Sequence, residues 1–200
     1  MNNILYSIGH SNHDITAFID LLKINAITAI ADVRSQPYSR YASQYNMESL
    51  KTFLLQADIS YVFLGKELGA RSSDISCYQH GKLQFSKLAQ QSQFIQGLER
   101  LKKGMKSYSI ALLCAEKDPI ECHRAILVAR QLHNENILVK HIHADGSTET
   151  QNNMEDRLLH LCKLPESDMF NTREQLLNKA YEIQAERIAY ADNTMKEVAA

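Results

Sequence analysis

The chain is short of net charge, of cysteine and of long apolar runs, and each shortage removes a class of function. Its 22 Lys and Arg nearly balance 23 Asp and Glu, for a formal charge of −1 and a pI near 6.7. Such a surface does not hold duplex nucleic acid by charge alone, which leaves nucleic acid only a local basic pocket. Four cysteines, Cys77, Cys114, Cys122 and Cys162, fall below the density of a secreted disulfide scaffold. The opening Met1 to Gly9 has neither the basic nor the apolar region of an export signal. No apolar run approaches the roughly 20 residues of a membrane span. A reduced, cytoplasmic setting with no membrane partner is the expectation. Internal repeats and low-complexity tracts are also missing.

What is present is a chain of 200 residues, 44% hydrophobic, enough for one substantial core. Five short apolar runs recur: Ile4 to Ile8, Ile27 to Val33, Ile59 to Leu64, Tyr108 to Cys114 and Ile137 to Ile142. Segments with helical spacing separate most of them, the signature of βα units. The first helix carries Ile15, Phe18, Ile19 and Leu22 on one face with Asp14 as N-cap; the second follows a cap at Asn46 and buries Met47, Leu50 and Leu54. A third, from Ser86 to Lys103, turns Ile95, Leu98 and Leu101 inward, and Glu174 to Tyr190 reads as one tail helix. Gly65 to Phe85 is too long for a crossover turn and reads as a binding loop or a flap. The expected fold is a three-layer, Rossmann-like α/β domain over residues 1–145, with a mostly parallel five-stranded sheet. Residues 146–200 form a helical C-terminal extension.

Open parallel sheets bind ligands beyond the carboxyl ends of their strands, and the unusual residues sit there. His10 and Ser11 follow the first run, Asp32, Arg34, Ser35 and Arg40 the second, Lys66 and Glu67 the third, and Cys114, Glu116, Lys117, His123 and Arg124 the fourth. At that last break, Asp118, Pro119 and Glu121 read as a capping box with proline at the first helical position. Cys114 then faces a helix N-terminus, which favours a thiolate or a bound anion. It reads either as a nucleophile or as a small buried strand residue. Cys122 shares helical spacing with Ala125, Ile126, Ala129 and Leu132 and reads as core. Asp32 and Arg34 are either an oriented anion anchor or an ion pair; Arg124 either grips an anion or ties loops together.

Together Ser7-Ile-Gly-His-Ser11, Asp32-Val-Arg-Ser35 with Ser39-Arg40, Leu64-Gly-Lys-Glu-Leu-Gly69 and Leu113 to Pro119 leading to Cys122-His-Arg124 resemble the domain of unknown function 488 family in order and spacing. Ala180 to Gln184 and Arg187 to Tyr190 extend the resemblance into the tail. It implies a cytoplasmic, bacterial-type α/β domain and assigns no reaction.

The site residues point to an enzyme acting on a small anionic substrate, phosphate-bearing or nucleotide-like. Arg34, Arg40 and Arg124 hold the anion, His10 transfers a proton, and Cys114 is either the nucleophile or an anion-facing polar lining. Glu67 and Glu116 are candidate bases. The alternatives are a module that binds a nucleotide or single-stranded nucleic acid through Tyr38, Arg40, Tyr41 and Tyr45, and a redox sensor built on Cys114 and Cys122. Neither a Walker loop nor a dinucleotide fingerprint occurs, and the residues name no cofactor. With no C-x2-C or H-x3-H pairing, a metal centre from His10, Cys114, Cys122 and His123 is not expected.

Overall fold

The computed structural model describes residues 4–192. Its elements run β1 (Ile4–Gly9), α1 (Ile15–Ile24), β2 (Ala29–Asp32), α2 (Met47–Gln56), β3 (Ser60–Phe63), α3 (Gly65–Leu68), β4 (Tyr78–Gln79) and β5 (Lys82–Leu83). Then come α4 (Phe85–Leu88), α5 (Ser92–Met105), β6 (Ile110–Cys114), a π-helical stretch Arg124–Ala129 continued by α6 (Arg130–Asn134), β7 (Leu138–Ile142), β8 (Thr148–Thr150), α7 (Gln151–Leu161) and α8 (Arg173–Ile188). The main sheet has the order β3-β2-β6-β1-β7-β8, parallel except for the antiparallel edge strand β8.

Both faces of the sheet are covered, and strand alternation decides which residue goes where. Ala29 and Ala31 of β2 and Ile110 and Leu112 of β6 enter one core with Phe94, Leu98, Ile126, Leu158 and Tyr181. Ile30, Ala111 and Leu113 point the other way, into a core with Phe18, Leu22, Leu50 and Leu54. This is the expected three-layer α/β architecture. Cys114 continues the Ile110 and Leu112 side, toward the helix that begins at Arg124.

All five expected strands are present, and β8 makes a sixth; its Thr-Glu-Thr sequence carries no apolar signal. The helices after it, through Met154, Leu158, Leu176 and Tyr181, share the core of β2 and β6. Asp14 does cap α1, accepting from the Ala17 N–H, but Asn46 turns its side chain to the Ser39 N–H instead of to α2. The third helix is broken into α4 and α5, and its buried face is Phe94, Gly97, Leu98 and Leu101, leaving Ile95 48% exposed. Asp118 caps only the short turn Pro119–Glu121, so the long helix starts later than the capping box predicted.

Gly65 to Phe85 is ordered into α3, a turn and the β4–β5 hairpin, whose His80-Gly81 corner takes positive φ at both residues. Backbone after α8 joins this hairpin, Leu83 N–H donating to the Tyr190 carbonyl at 3.0 Å. The segment just after α8 thereby becomes a wall beside the carboxyl end of the sheet.

Candidate functional site

From β2 the chain leaves toward β3; from β6 it leaves toward β7, on the opposite side. Where neighbouring strands send their connections apart, a crevice opens beyond their carboxyl ends. Here it is a cleft of about 380 Å³ whose lining includes Arg34, Arg71, Cys114, Glu116, His123 and Tyr190.

Its floor is a knot of sulfur, imidazole and carboxyl groups. Cys114, at the end of β6, is 3% exposed, and its Sγ lies 3.6 Å from His123 Nδ1. Cys122 Sγ is 3.9 Å from the same nitrogen, and the three ligand atoms lie within 4.8 Å of one another. His123 Nε2 stands 3.0 Å from the Val33 carbonyl, which can only accept, so Nε2 carries the hydrogen. In the neutral ring, Nδ1 therefore presents its lone pair to the sulfurs. A 2.9 Å hydrogen bond joins Cys122 Sγ to Glu116 Oε2.

Cys122 is the extended residue between the Pro119–Glu121 turn and the helix, with φ −137° and ψ 137°. Its carbonyl accepts from Ala125 and Ile126, and its Sγ accepts from the Arg124 N–H at 3.4 Å. Burial alone would raise this thiol, but the Cys114 hydrogen bond, the Arg124 charge and His123 outweigh it and hold Cys122 well below the usual thiol range. Its hydrogen bond to Cys122, together with burial, pushes Cys114 well above that range. Although Glu116 is exposed as a residue, desolvation at its carboxyl and then Cys122 push that group up. His123 rises because Cys122 and Glu116 outweigh its desolvation. The cleft-facing sulfur keeps its proton while the one beneath it loses it more readily.

The arginines build the frame. Arg34 donates from Nε and Nη2 to both Asp32 oxygens, at 2.9 and 2.6 Å, and from Nη2 to the Tyr45 carbonyl; Tyr61 donates to Asp32 Oδ2. None of these bonds uses Nη1. Arg124 is fully buried, with Nη1 and Nη2 donating to the Glu116 and Lys117 carbonyls and Nε to Ser7 Oγ. It tethers the loop after β6. Gly9 allows that loop to approach, since a Cβ there would sit 1.8 Å from the Glu116 carbonyl oxygen. Gly65 does the same for the Arg34 carbonyl, at 2.0 Å.

The matching family is "Domain of unknown function DUF488", over residues 14–131. The chain belongs to this family. No curated protein and no solved structure matches it. Within this DUF488 chain the cleft gathers Arg34, Ser35, Glu116 and His123 around Cys114. Lys66 and Glu67 line a second cleft of about 470 Å³, which shares Ser35, Gln36 and Arg71 with the first. Glu67 is paired there with Arg100. Arg40 and Lys117 are exposed and line neither cleft. Ser11, at φ 46°, fastens its N–H to the Ala115 carbonyl. His10 stacks on Tyr45 with ring centroids 4.1 Å apart and bonds the Ser11 carbonyl. Burial lowers it to about 4, so it is neutral at pH 7.

Cys122 is buried, as its spacing with Ala125 and Ile126 predicts, but it is extended rather than helical, with its sulfur beside His123 and Glu116. Two more groups complete the cleft of this DUF488 chain, Arg71 and Tyr190. Arg71 stands in the rim loop just after α3; its guanidinium lies 4.3 Å over the Tyr190 ring, and among the described residues no carboxylate pairs with it. Tyr190 stands in the family-like tail segment, which was the available signal. No helix of the described residues is long and apolar enough to cross a membrane.

Proposed function

We propose that this DUF488 protein is an enzyme in which Cys114 is the nucleophile, His123 its base, and the substrate a small molecule bearing an anionic group. One observation carries the reading: the Val33 carbonyl holds the Nε2 hydrogen, which turns Nδ1 toward Cys114 Sγ at 3.6 Å. Nucleophile, base and orienter are the three parts that thiol catalysis requires. As Sγ bonds to an electrophile, its proton passes to Nδ1, and the resulting imidazolium is stabilised by Cys122 and Glu116 alongside. The anion belongs between Arg71, which has no carboxylate partner among the described residues, and Nη1 of Arg34. Glu116 and Glu121 also line the cleft, so the fit is to one localised negative group rather than to a polyanion.

Paired alkylation tests this. Iodoacetate is a small anion and iodoacetamide its neutral analogue; with either, an S–C bond forms and iodide leaves. Peptide mass mapping should find the iodoacetate-to-iodoacetamide rate ratio higher at Cys114 than at half-buried Cys162, and lowered by Arg71→Ala. Equal ratios at both cysteines would remove the anion site; no alkylation of Cys114 in the folded protein would remove the nucleophile.

The sulfur approach also favours a second reading, redox sensing. Hydrogen peroxide would take two hydrogens from Cys114 and Cys122, forming one disulfide and two waters. An unchanged mass after mild peroxide treatment would dismiss it.

A further inference from the structure

The three groups on the cleft floor have a second chemistry open to them. Tetrahedral zinc, with Zn–S of about 2.3 Å and Zn–N of about 2.0 Å, requires S···N separations of about 3.6 Å and an S···S separation of about 3.8 Å. The two S···N separations here are 3.6 and 3.9 Å, with all three ligand atoms inside 4.8 Å. We infer that Cys114, Cys122 and His123 form a zinc(II) site with its fourth position on the cleft side. The site uses residues whose spacing gave no metal signal, because a strand end supplies one ligand and the start of a helix the other two.

Three observations support zinc over a chance meeting of side chains. The hydrogen bond from His123 Nε2 to the Val33 carbonyl is the kind of contact that fixes tautomer and ring direction in metal-bound histidines. The ligand set of two thiolates and one imidazole suits a borderline-soft divalent ion and disfavours magnesium or calcium, which take oxygen. The ligands are held before any metal arrives: Cys114 by the sheet, Cys122 by Arg124 N–H against its sulfur, and His123 by its carbonyl partner. The fourth position adjoins Glu116, whose Oε2 is 2.9 Å from Cys122 Sγ.

Binding is balanced by simple exchange. Two Zn–S bonds form, one Zn–N bond forms at the Nδ1 lone pair, and the protons leaving the two thiols go to the buffer. With Cys114 coordinated, its sulfur is no longer free to attack. Zinc would therefore block the thiol chemistry reversibly, a consequence that rests on the function proposed above; zinc binding itself does not.

The test uses the full-length, reduced protein after treatment with a chelator. Cobalt(II) should give the intense sulfur-to-metal charge-transfer absorption of two thiolates, and one equivalent of zinc should bleach it. The same equivalent should protect Cys114 and Cys122 from iodoacetamide and leave the rate at Cys162 unchanged. Cys114→Ser and His123→Ala should weaken zinc by more than the roughly 10–100-fold lost when only a ligand's hydrogen-bond partner is removed. Circular dichroism shows whether each variant is folded, and the protection experiment needs no variant. Absence of thiolate charge transfer, or zinc binding that leaves both cysteines open to alkylation, would overturn the site. Rapid Cys114 alkylation in the metal-free protein with no cobalt spectrum would sink zinc and leave the thiol enzyme standing. Tight zinc with an inert metal-free Cys114 would do the reverse.

Discussion

Two buried polar networks meet at Arg124, and they are built to opposite rules. On the β7 side, Arg124 Nε donates to Ser7 Oγ (3.4 Å), Ser7 to His141 Nδ1 (2.7 Å), and His141 Nε2 to Gln151 Oε1 (2.8 Å). Gln151 Nε2 then donates to the Tyr181 hydroxyl and Tyr181 to Glu155 Oε1, each at 2.7 Å. Every donor points the same way, from a guanidinium to a carboxylate, and each link is spoken for. On the β2–β6 side the arginines are just as firmly tied, yet Cys114, the Nδ1 lone pair of His123 and Nη1 of Arg34 have only soft partners or none of their described bonds. A closed chain of hydrogen bonds holds layers together. Soft, under-committed groups at a cleft are what chemistry uses.

The largest effect is expected at the ion pair that frames the cleft. Asp32→Asn leaves the guanidinium of Arg34 buried beside a neutral amide, and urea unfolding should report a loss of about 3–5 kcal/mol. A loss below about 1 kcal/mol would mean that Arg34 is solvated and the frame is not a buried pair.

Acid acts on the closed network next. Burial and then the nearby Arg124 charge lower His141 to about 3, so the folded protein keeps this ring neutral while the unfolded chain protonates it near 6.5. The unfolded state takes up the proton first. Stability from this group is complete above about pH 6.5 and declines as pH falls toward 3, by at most roughly 1.4 kcal/mol per pH unit. Chemical denaturation from pH 7 to 4 should show that slope, and His141→Leu should flatten it. A slope unchanged by His141→Leu would move the acid sensitivity to other groups.

At neutral pH the same variant has a smaller effect. His141→Leu strands Ser7 and Gln151 and should cost about 1–3 kcal/mol. The rate at which iodoacetamide reaches Cys114 should stay within about twofold of wild type, since that network carries no group into the cleft. A large change in that rate would couple the two networks and dissolve the distinction.

Much of this was readable from the chain. The inner strands β2 and β6 announce themselves as apolar runs because burial on both faces demands Ile, Leu and Ala, whereas the edge strand β8 is at most half-buried and carries Thr-Glu-Thr. The rim was readable too, since polar residues cluster after strands and not before them. Partner choice was not. Asp32-Val33-Arg34 has the same sequence whether its guanidinium grips a ligand or the Asp32 carboxylate, and only the fold decides. The joining of Cys114 to Cys122 and His123, and of Arg71 to Tyr190, is set by strand order and by where α8 ends.

The most direct test is the second-order rate of iodoacetamide with Cys114 in wild type beside His123→Gln, measured on metal-free, folded protein at pH 7. The amide has no basic nitrogen to take the thiol proton, so the rate should fall at least about tenfold, toward the loss of general-base assistance. Equal rates in the two proteins would contradict the account, because Cys114 would then owe nothing to the imidazole 3.6 Å away.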